Sequence, residues 1–227
     1  GIFSANSART INNNIVDRYE YSSGADVVAT LDTAWLKTAL DPEAIAADND
    51  CVESAAEVIY IPQDTNKFVL KLGNQKLNGF SLMGIEPYSF GMTTTLRTDL
   101  LPYHINDFLN LINGAQSAVL LSSDFAGNIA VGDVLTLDGP NGASMSCIVY
   151  GFIDYWPGYQ KTEYLDGVAE TRSLIVVNSS FLKLHYADTY ENCTQIWMKR
   201  KEGSTIDDFI KAMSISVPFA AENEDAT

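Results

Sequence analysis

Four aromatic side chains lie close together in the sequence and could form a binding surface. The stretch "DYWPGYQKTEY" (154–164) places Tyr155, Trp156, Tyr159 and Tyr164 around a Pro–Gly pair. Aromatic side chains with a polar tip are favoured at interfaces, because one ring buries a large area and can still hydrogen-bond. The pattern indicates a partner-binding platform. A second interpretation stays open, in which a strand ends here and its aromatics cover the edge of the core before a loop.

Residue types that perform catalysis are sparse in this chain. The two histidines, His104 and His185, each fall on a predicted helical segment. The stretch "GFSLMG" (79–84) misses the G-x-S-x-G nucleophile elbow by one residue. The sequence therefore predicts no catalytic residue, and structural or surface roles are expected for both histidines.

No metal or nucleotide motif is present in the sequence. The stretch "DND" (48–50) begins like a calcium loop but lacks the required glycine and the terminal glutamate. Neither G-x-x-x-x-G-K-[ST] nor G-x-G-x-x-G occurs, so any ATP involved would bind another chain. Cys51, Cys147 and Cys193 lack zinc spacing, and three reduced, mostly buried thiols are the preferred interpretation. One disulfide plus a free thiol stays open. No metal and no cofactor is predicted.

Composition excludes several classes of partner. The chain has 227 residues, of which 46% are apolar and 11% aromatic, enough for a sizeable core. A net charge of −15 argues against nucleic acid and against an anionic membrane surface, because both attract clustered Lys and Arg. No run approaches the ~18 apolar residues that a membrane span needs.

The first residues predict a helix and an abrupt start. Ile11, Ile15 and Tyr19 recur every four residues, which favours a helix over residues 7–19. The chain begins without an initiator Met or a secretory leader, and it stops in a short acidic tail. This indicates a segment of a longer polypeptide.

The remaining pattern predicts an α+β fold. A strand at 24–35, a helix at 41–50 and a strand at 55–62 form a β-α-β-like unit. Further strands are predicted at 67–72, 76–87, 117–123, 131–137, 144–156 and 193–203, and further helices at 103–114 and 204–213. The stretch 172–188 is predicted to be a strand followed by a helix. The segment 87–104 matches no pattern.

The last helix has a candidate cap and a candidate core face. Ser204 and Asp207 have the spacing of a capping box, in which side-chain oxygens bind the first free N–H groups of the helix. Its apolar stripe, which we expect to lie in the core, consists of Ile206, Phe209, Ile210 and Met213.

Several ordered stretches resemble one family. "ANSARTINNNIVDRYEYSSGADVV" (5–28) resembles the segment that follows the first transmembrane helix of FtsX-like and MacB-like ABC transporter permeases. "SAVLLSSDFAGNIAVGDVLTL" (117–137) and "CIVYGFIDYWPGY" (147–159) are similar to that family's V-G-D-x-[LV]-T-L and V-x-G-[FI]-[IV]-D strands. "QIWMKRKEGSTIDDFIKAM" (195–213) is similar to the closing strand and helix.

The resemblance implies an extracytoplasmic domain between two transmembrane helices, on the outer side of a bacterial cell membrane. It implies a membrane-proximal β-α-β subdomain built from residues 1–62 and 190–227, and a distal, strand-rich inserted subdomain at 63–189. The parent permease would work with a cytoplasmic ATPase and transmit its cycle mechanically. An extracellular protein, peptide or lipoprotein would be the partner or substrate, and a dimer in the full transporter stays open.

The leading hypothesis is therefore a non-catalytic module of a transporter permease. The alternative is a secreted hydrolase or carbohydrate-binding domain that uses acidic residues and the aromatics of 155–164. A third hypothesis is a stand-alone ligand-binding or adhesion domain.

Overall fold

The structure, a computed structural model, describes residues 24–31, 41–94, 106–205 and 207–209, and the backbone of 16–21 and 105. In chain order the elements are β1 (Val16–Tyr21), β2 (Val27–Leu31), α1 (Pro42–Asp48), β3 (Val52–Ile61), β4 (Val69–Leu72), β5 (Gln75–Leu77), β6 (Ser81–Ile85), α2 (Pro87–Thr93), α3 (Ile105–Gly114), β7 (Ala118–Ser122), a 3-10 turn (Ser123–Gly127), β8 (Val134–Asp138), β9 (Ser144–Ile153), β10 (Thr162–Leu165), β11 (Val168–Thr171), β12 (Leu174–Asn178), α4 (Ser179–His185) and β13 (Thr194–Arg200).

One mixed sheet of eleven strands organises the described chain. Its order is β1-β2-β13-β3-β6-β12-β7-β9-β8-β4-β5, and β10 with β11 forms a separate two-stranded sheet. β13 pairs antiparallel with both β2 and β3, so β2 and β3 run parallel on either side of it. The β2–α1–β3 unit is therefore a β-α-β unit into which a strand from late in the chain is inserted.

The central strands bury both faces, because helices cover the sheet on each side. Along β13, Ile196 and Met198 pack with Ile45 of α1, whereas Trp197 points to the other face and packs with Phe90 of α2. This alternation follows the two-residue period of a strand. Strands buried on both faces read as continuous apolar runs, as in β7 and β12.

Short helices begin where the sequence supplies a cap. Asp41 precedes α1 and accepts a hydrogen bond from the N–H of Ala44 at 3.4 Å, and Pro42 fits the first helical position. In α2, which the sequence pattern did not reveal, Glu86 accepts from the N–H groups of Tyr88 and Ser89 at 3.1 and 2.6 Å. The rest of the 87–104 segment, from residue 95 onward, lies outside the described residues.

The predicted cap of the last helix is displaced by one residue. Thr205, not Ser204, accepts a hydrogen bond at its hydroxyl, from the N–H of Asp208 at 3.0 Å. Ser204 instead donates to the carbonyl of Lys201 at 2.6 Å, within a turn. The predicted core position of Phe209 is confirmed, because its side chain is fully buried against the α1 side of the sheet. Ile206, Ile210 and Met213 lie outside the described side chains.

The predicted helix over residues 7–19 is wrong where it can be compared. Val16–Tyr21 form β1, which pairs antiparallel with β2. The reason is tertiary: pairing with a buried strand overrides a four-residue spacing that only three apolar residues supported. Residues 7–15 lie outside the described chain.

The mixed α+β, strand-rich class is confirmed. The division into 1–62 with 190–227 and 63–189 stays a prediction. The eleven-stranded sheet is continuous between these parts, since β3 pairs with β13 on one side and with β6 on the other.

Candidate interaction site

Five strands begin or end along one side of the sheet, which is the side where strands terminate and not an outermost strand. β3, β7 and β9 end there, while β6 and β12 begin there, as their register shows: Ile61 is opposite Leu82, and Ser122 is opposite Ile153. We call this the Arg172 edge, after the residue that directly follows β11. The loop and hairpin of residues 154–172 leave the sheet at this edge and return to it.

Trp156 is part of the core and not of the surface. Its side chain is 1% exposed, and its ring stacks on Phe90 with centroids 5.7 Å apart. Phe90 in turn contacts Trp197 of β13 at 5.4 Å. These three rings join the loop after β9 to α2 and to the central sheet. The second interpretation of the aromatic stretch, in which it covers the core edge, describes Trp156.

The loop that carries Trp156 fits closely against Gly24, just before β2, and against Trp197 of β13. A Cβ placed on Gly24 would lie 2.5 Å from the backbone nitrogen of Gly158. Gly158 itself has φ +76°, and a Cβ there would lie 2.6 Å from the Trp197 ring. Such distances are shorter than any van der Waals contact, so both positions require glycine.

The other three aromatics occupy different environments. Tyr159 is partly buried, and its hydroxyl donates to the carbonyl of Arg172 at 2.8 Å; burial raises the pKa of Tyr159 to about 12. Tyr155 is 47% exposed beside Trp156. Tyr164 is 72% exposed on β10. Of the four predicted platform residues, Trp156 therefore lies in the core and Tyr159 at the base of the hairpin, while Tyr155 and Tyr164 are exposed at the surface.

Arg172 fixes the hairpin of β10 and β11 against the Arg172 edge. Its side chain is 11% exposed and faces three carboxylates. The guanidinium contacts Asp64 at 2.9 Å, Glu163 of β10 at 2.6 Å and Glu170 of β11 at 3.4 Å. The hydrogen bond that Arg172 donates to Asp64, together with the neighbouring negative charges, raises the pKa of Arg172 above its usual value. Glu163 and Glu170 are directly opposite each other in the hairpin, so without the cation they would repel.

Polar side chains also fix the start of β12. The N–H of Ser173 donates to Gln63 at 3.0 Å, and its hydroxyl donates to Asp124 at 2.6 Å. The N–H of Leu174 donates to the Ser122 hydroxyl at 2.9 Å. Backbone groups at the point where the hairpin rejoins the sheet are therefore paired.

Asp154 has a second group of contacts at the same edge. It accepts hydrogen bonds from the Ser123 hydroxyl and from Lys161, the latter at 3.4 Å. The bond from Ser123, followed by Lys161, lowers the pKa of Asp154. Lys161 directly precedes β10, so this contact orients the start of the hairpin.

A polar cleft of about 290 Å³ lies beside the hairpin. Its walls include Tyr60, Gln63 and Ser81 from the sheet, and Gln160 and Glu163 from the hairpin side. Ser81 accepts from the N–H of Gln63 at 3.0 Å. The cleft offers hydrogen-bonding groups, and among the described residues that line it Arg172 is the one basic side chain, with its charge balanced by carboxylates.

The one histidine among the described residues lies against aromatic rings. His185 contacts the rings of Phe181 and Tyr186 at 5.3 and 6.4 Å, and His104 lies outside the described chain. Within the described ranges, no group of three His, Cys, Asp or Glu residues could hold a metal ion. No helix among these residues is long and apolar enough to cross a membrane.

All three cysteines are free thiols. Cys147 is buried, and burial raises its pKa to about 12. Cys51 and Cys193 are partly buried, and burial also raises their pKa values. High pKa values leave little reactive thiolate near neutral pH.

The sequence reading missed the hairpin and Arg172. The hairpin had a usable signal: the Asp166–Gly167 pair, with φ 51° and 80°, is the favoured two-residue turn between strands. Arg172 had no such signal, because its importance depends on carboxylates as distant in sequence as Asp64.

Comparison with known proteins gives structural similarity only. No family model matches the chain, and no curated protein matches it. A permease-protein domain from Porphyromonas gingivalis is 14% identical with a TM-score of 0.47, covering 75% of this chain and 71% of that one. The extracellular domain of the ABC-type transporter YknZ from Gram-positive bacteria is 10% identical with a TM-score of 0.45, covering 78% of each chain. The periplasmic region of MacB from Actinobacillus actinomycetemcomitans is 11% identical with a TM-score of 0.44, covering 78% and 72%.

Proposed function

We propose that this chain is a non-catalytic, extracytoplasmic domain of an ABC transporter permease of the FtsX-like and MacB-like kind. It contacts a substrate or an extracellular partner and transmits the motion that a cytoplasmic ATPase drives. The parent protein is integral to a bacterial cell membrane, and this domain lies on its outer side.

The observation that carries this proposal is the place of the ordered motifs in the fold. The 117–137 stretch spans β7, the 3-10 turn and β8, and the 147–159 stretch spans β9 and the Trp156 loop. The 195–213 stretch includes β13, which inserts between β2 and β3. All three stretches thus contribute strands to the same sheet, in which β7, β9 and β8 are neighbours and β13 lies beyond β12, β6 and β3.

The sheet offers a physical basis for transmitting motion. It runs without interruption from β2 and β13 to the strands of the Arg172 edge. Packed interiors have low compressibility and pass displacement on. Movement applied to β13 would therefore reach the Arg172 edge with little loss, through β3, β6 and β12.

Membrane topology gives a direct test. In cells that express the full parent gene, Leu184→Cys places a thiol on α4 at a position that is 67% exposed. We expect a membrane-impermeant maleimide to label this variant equally in intact and permeabilised cells. The unsubstituted parent is the matched control, since its native thiols in this domain are buried or partly buried with raised pKa values.

Labelling that requires permeabilisation would place the domain in the cytoplasm and reject the proposal. A second measurement addresses the ATPase: the purified parent should retain a separate ATPase chain and hydrolyse ATP. A parent gene without apolar spans of ~20 residues would point to the secreted alternative.

A further inference from the structure

The hairpin of β10 and β11 is fully exposed yet carries apolar side chains near its tip. Every residue from Thr162 to Thr171 is exposed, with Tyr164 at 72%, Leu165 at 43% and Val168 at 63%. Leu165 and Val168 are opposite each other beside the turn. Apolar side chains grouped on a projecting element are typical of contact surfaces.

Both edges of this hairpin are unpaired within the described chain, because β10 and β11 form a sheet of two strands. The N–H of Arg172 donates to the carbonyl of Lys161 at 2.8 Å. Hydrogen-bonded pairs recur at every second residue of an antiparallel ladder, so the backbone groups of Tyr164 and Ala169 point outward. Such free groups can pair with an added strand.

The hairpin is held in place before any partner binds. Arg172 contacts Glu163 and Glu170 from the base of the hairpin, so both strands are attached to the Arg172 edge. A strand edge that is already ordered costs a partner less conformational entropy on binding.

The surroundings of the hairpin are acidic. The carboxylates in and around it are Asp64, Asp124, Asp154, Glu163, Asp166 and Glu170, and the cations are Lys161 and Arg172. Six negative and two positive charges leave a local net charge of −4. This charge repels a second copy of the chain, whose net charge is −15, and it attracts a basic partner.

The two edges differ in what lies beside them. The cleft is lined by Gln160 and Glu163, on the β10 side, and not by residues of β11. A strand added to β10 could therefore continue toward Gln63 and Ser81, where polar groups line the cleft.

We propose that the outer edge of β10 binds an extended, basic segment of a partner polypeptide as a third strand. Backbone groups of Tyr164 pair with the segment, and its apolar side chains lie on the face that carries Leu165 and Val168. The net negative charge around the hairpin attracts its basic side chains. This inference rests on the proposed function, because it names the kind of partner that the domain would contact.

The test uses the 227-residue chain and a fluorescein-labelled peptide of eight alternating Lys and Val residues. Fluorescence anisotropy at low salt should show saturable binding that weakens as salt is added. Replacing Lys by Glu in the peptide should abolish binding. Methylation of alternate backbone nitrogens of the peptide blocks the N–H groups along one edge of its extended strand. It should abolish binding through that edge, since a third strand needs those N–H groups.

Variants of the protein separate edge pairing from other effects. Tyr164→Pro removes an outward N–H of β10 and should lower the affinity at least about tenfold, while Tyr164→Ala keeps that N–H and should lower it less. Ala169→Pro makes the same backbone change on β11 and should leave the affinity unchanged. Leu165→Ser with Val168→Ser should weaken binding, and Leu184→Ser on α4 should not.

Absence of saturable binding would overturn the inference, as would equal effects of Tyr164→Pro and Ala169→Pro. Circular dichroism on each variant checks that the fold is retained. Failure here is distinct from failure of the proposed function: peptide binding is measured without a membrane, and maleimide labelling of Leu184→Cys does not involve the hairpin.

Discussion

The two halves of the 154–171 segment are both rich in aromatic or apolar residues, but different forces hold them. The first half is anchored by Trp156, which is buried against Phe90 and Trp197. The second half, the hairpin, buries almost nothing and is held by ion pairs to Arg172. The first half is therefore a rigid base, whereas the side chains and one backbone edge of the second half stay accessible to a partner.

The sharpest way to test this contrast is to truncate one aromatic from each environment. Trp156→Ala should lower the free energy of unfolding by about 3–5 kcal/mol, because it removes a buried indole and leaves a cavity. The neighbouring Tyr155→Ala should change it by less than about 0.5 kcal/mol, since that side chain is 47% exposed. Urea unfolding followed by fluorescence gives both values. Equal losses would mean that the segment has no core half.

Two glycines with positive φ test the same contrast at the backbone. Gly158→Ala should cost more stability than Gly167→Ala by about 1–3 kcal/mol. Both residues have positive φ, at +76° and +80°, so both variants carry a similar backbone strain. Only at Gly158 does an added Cβ meet another group, the Trp197 ring at 2.6 Å; nothing lies near Gly167. Thermal melting of the two variants provides the measurement, and a larger loss for Gly167→Ala would contradict the tight fit of the loop.

The hairpin half should respond to loss of its cation. In Arg172→Met, the amides of β10 and β11 should exchange with solvent roughly tenfold faster, because Glu163 and Glu170 lose their shared partner and repel. Amides of β7, in the buried sheet, should keep their exchange rates. Hydrogen exchange read by mass spectrometry resolves the two regions, with Lys76→Met, at an exposed position on β5, as a charge-matched control. Uniformly faster exchange would show that Arg172 supports the whole fold rather than the hairpin.

Much of the fold was predictable because burial leaves a pattern in the sequence. Strands such as β7 and β12 read as short apolar runs, and α3 shows helical spacing that places Phe108, Leu109 and Ile112 in the core. Prediction failed where the local pattern was short or misleading. β1 pairs with β2, and this pairing overrides the four-residue apolar spacing that favoured a helix. α2 has only seven residues, and its cap, Glu86, does not stand before a clear helical pattern of apolar residues.

The candidate site was less predictable than the fold. Composition identified 154–164 as unusual but could not tell Trp156, which is buried, from Tyr164, which is exposed. That distinction depends on Phe90 and Trp197, which are far away in sequence. The position of the hairpin likewise depends on Asp64, more than a hundred residues before Arg172. Sequence can therefore indicate an interaction segment before it can say which of its residues face a partner.

The smallest expected effect concerns the contact that orients the start of the hairpin. The pKa of Asp154 is lowered in the folded state, mainly by the hydrogen bond from Ser123 and then by Lys161. A folded-state pKa below the unfolded value means that the ionised carboxylate stabilises the fold above about pH 4, and that this contribution is lost as the pH falls through the folded-state pKa. Asp154→Asn should therefore lower stability at pH 7 by less than about 1 kcal/mol, since the group is about half exposed, and this loss should shrink as the pH falls through the folded-state pKa. Urea unfolding at pH 7 and at a series of lower pH values measures the difference. In a Ser123→Ala background the effect at pH 7 should shrink. An undiminished effect would mean that Asp154 acts through Lys161 alone, and that Asp154 does not connect the start of the hairpin to Ser123 and the sheet.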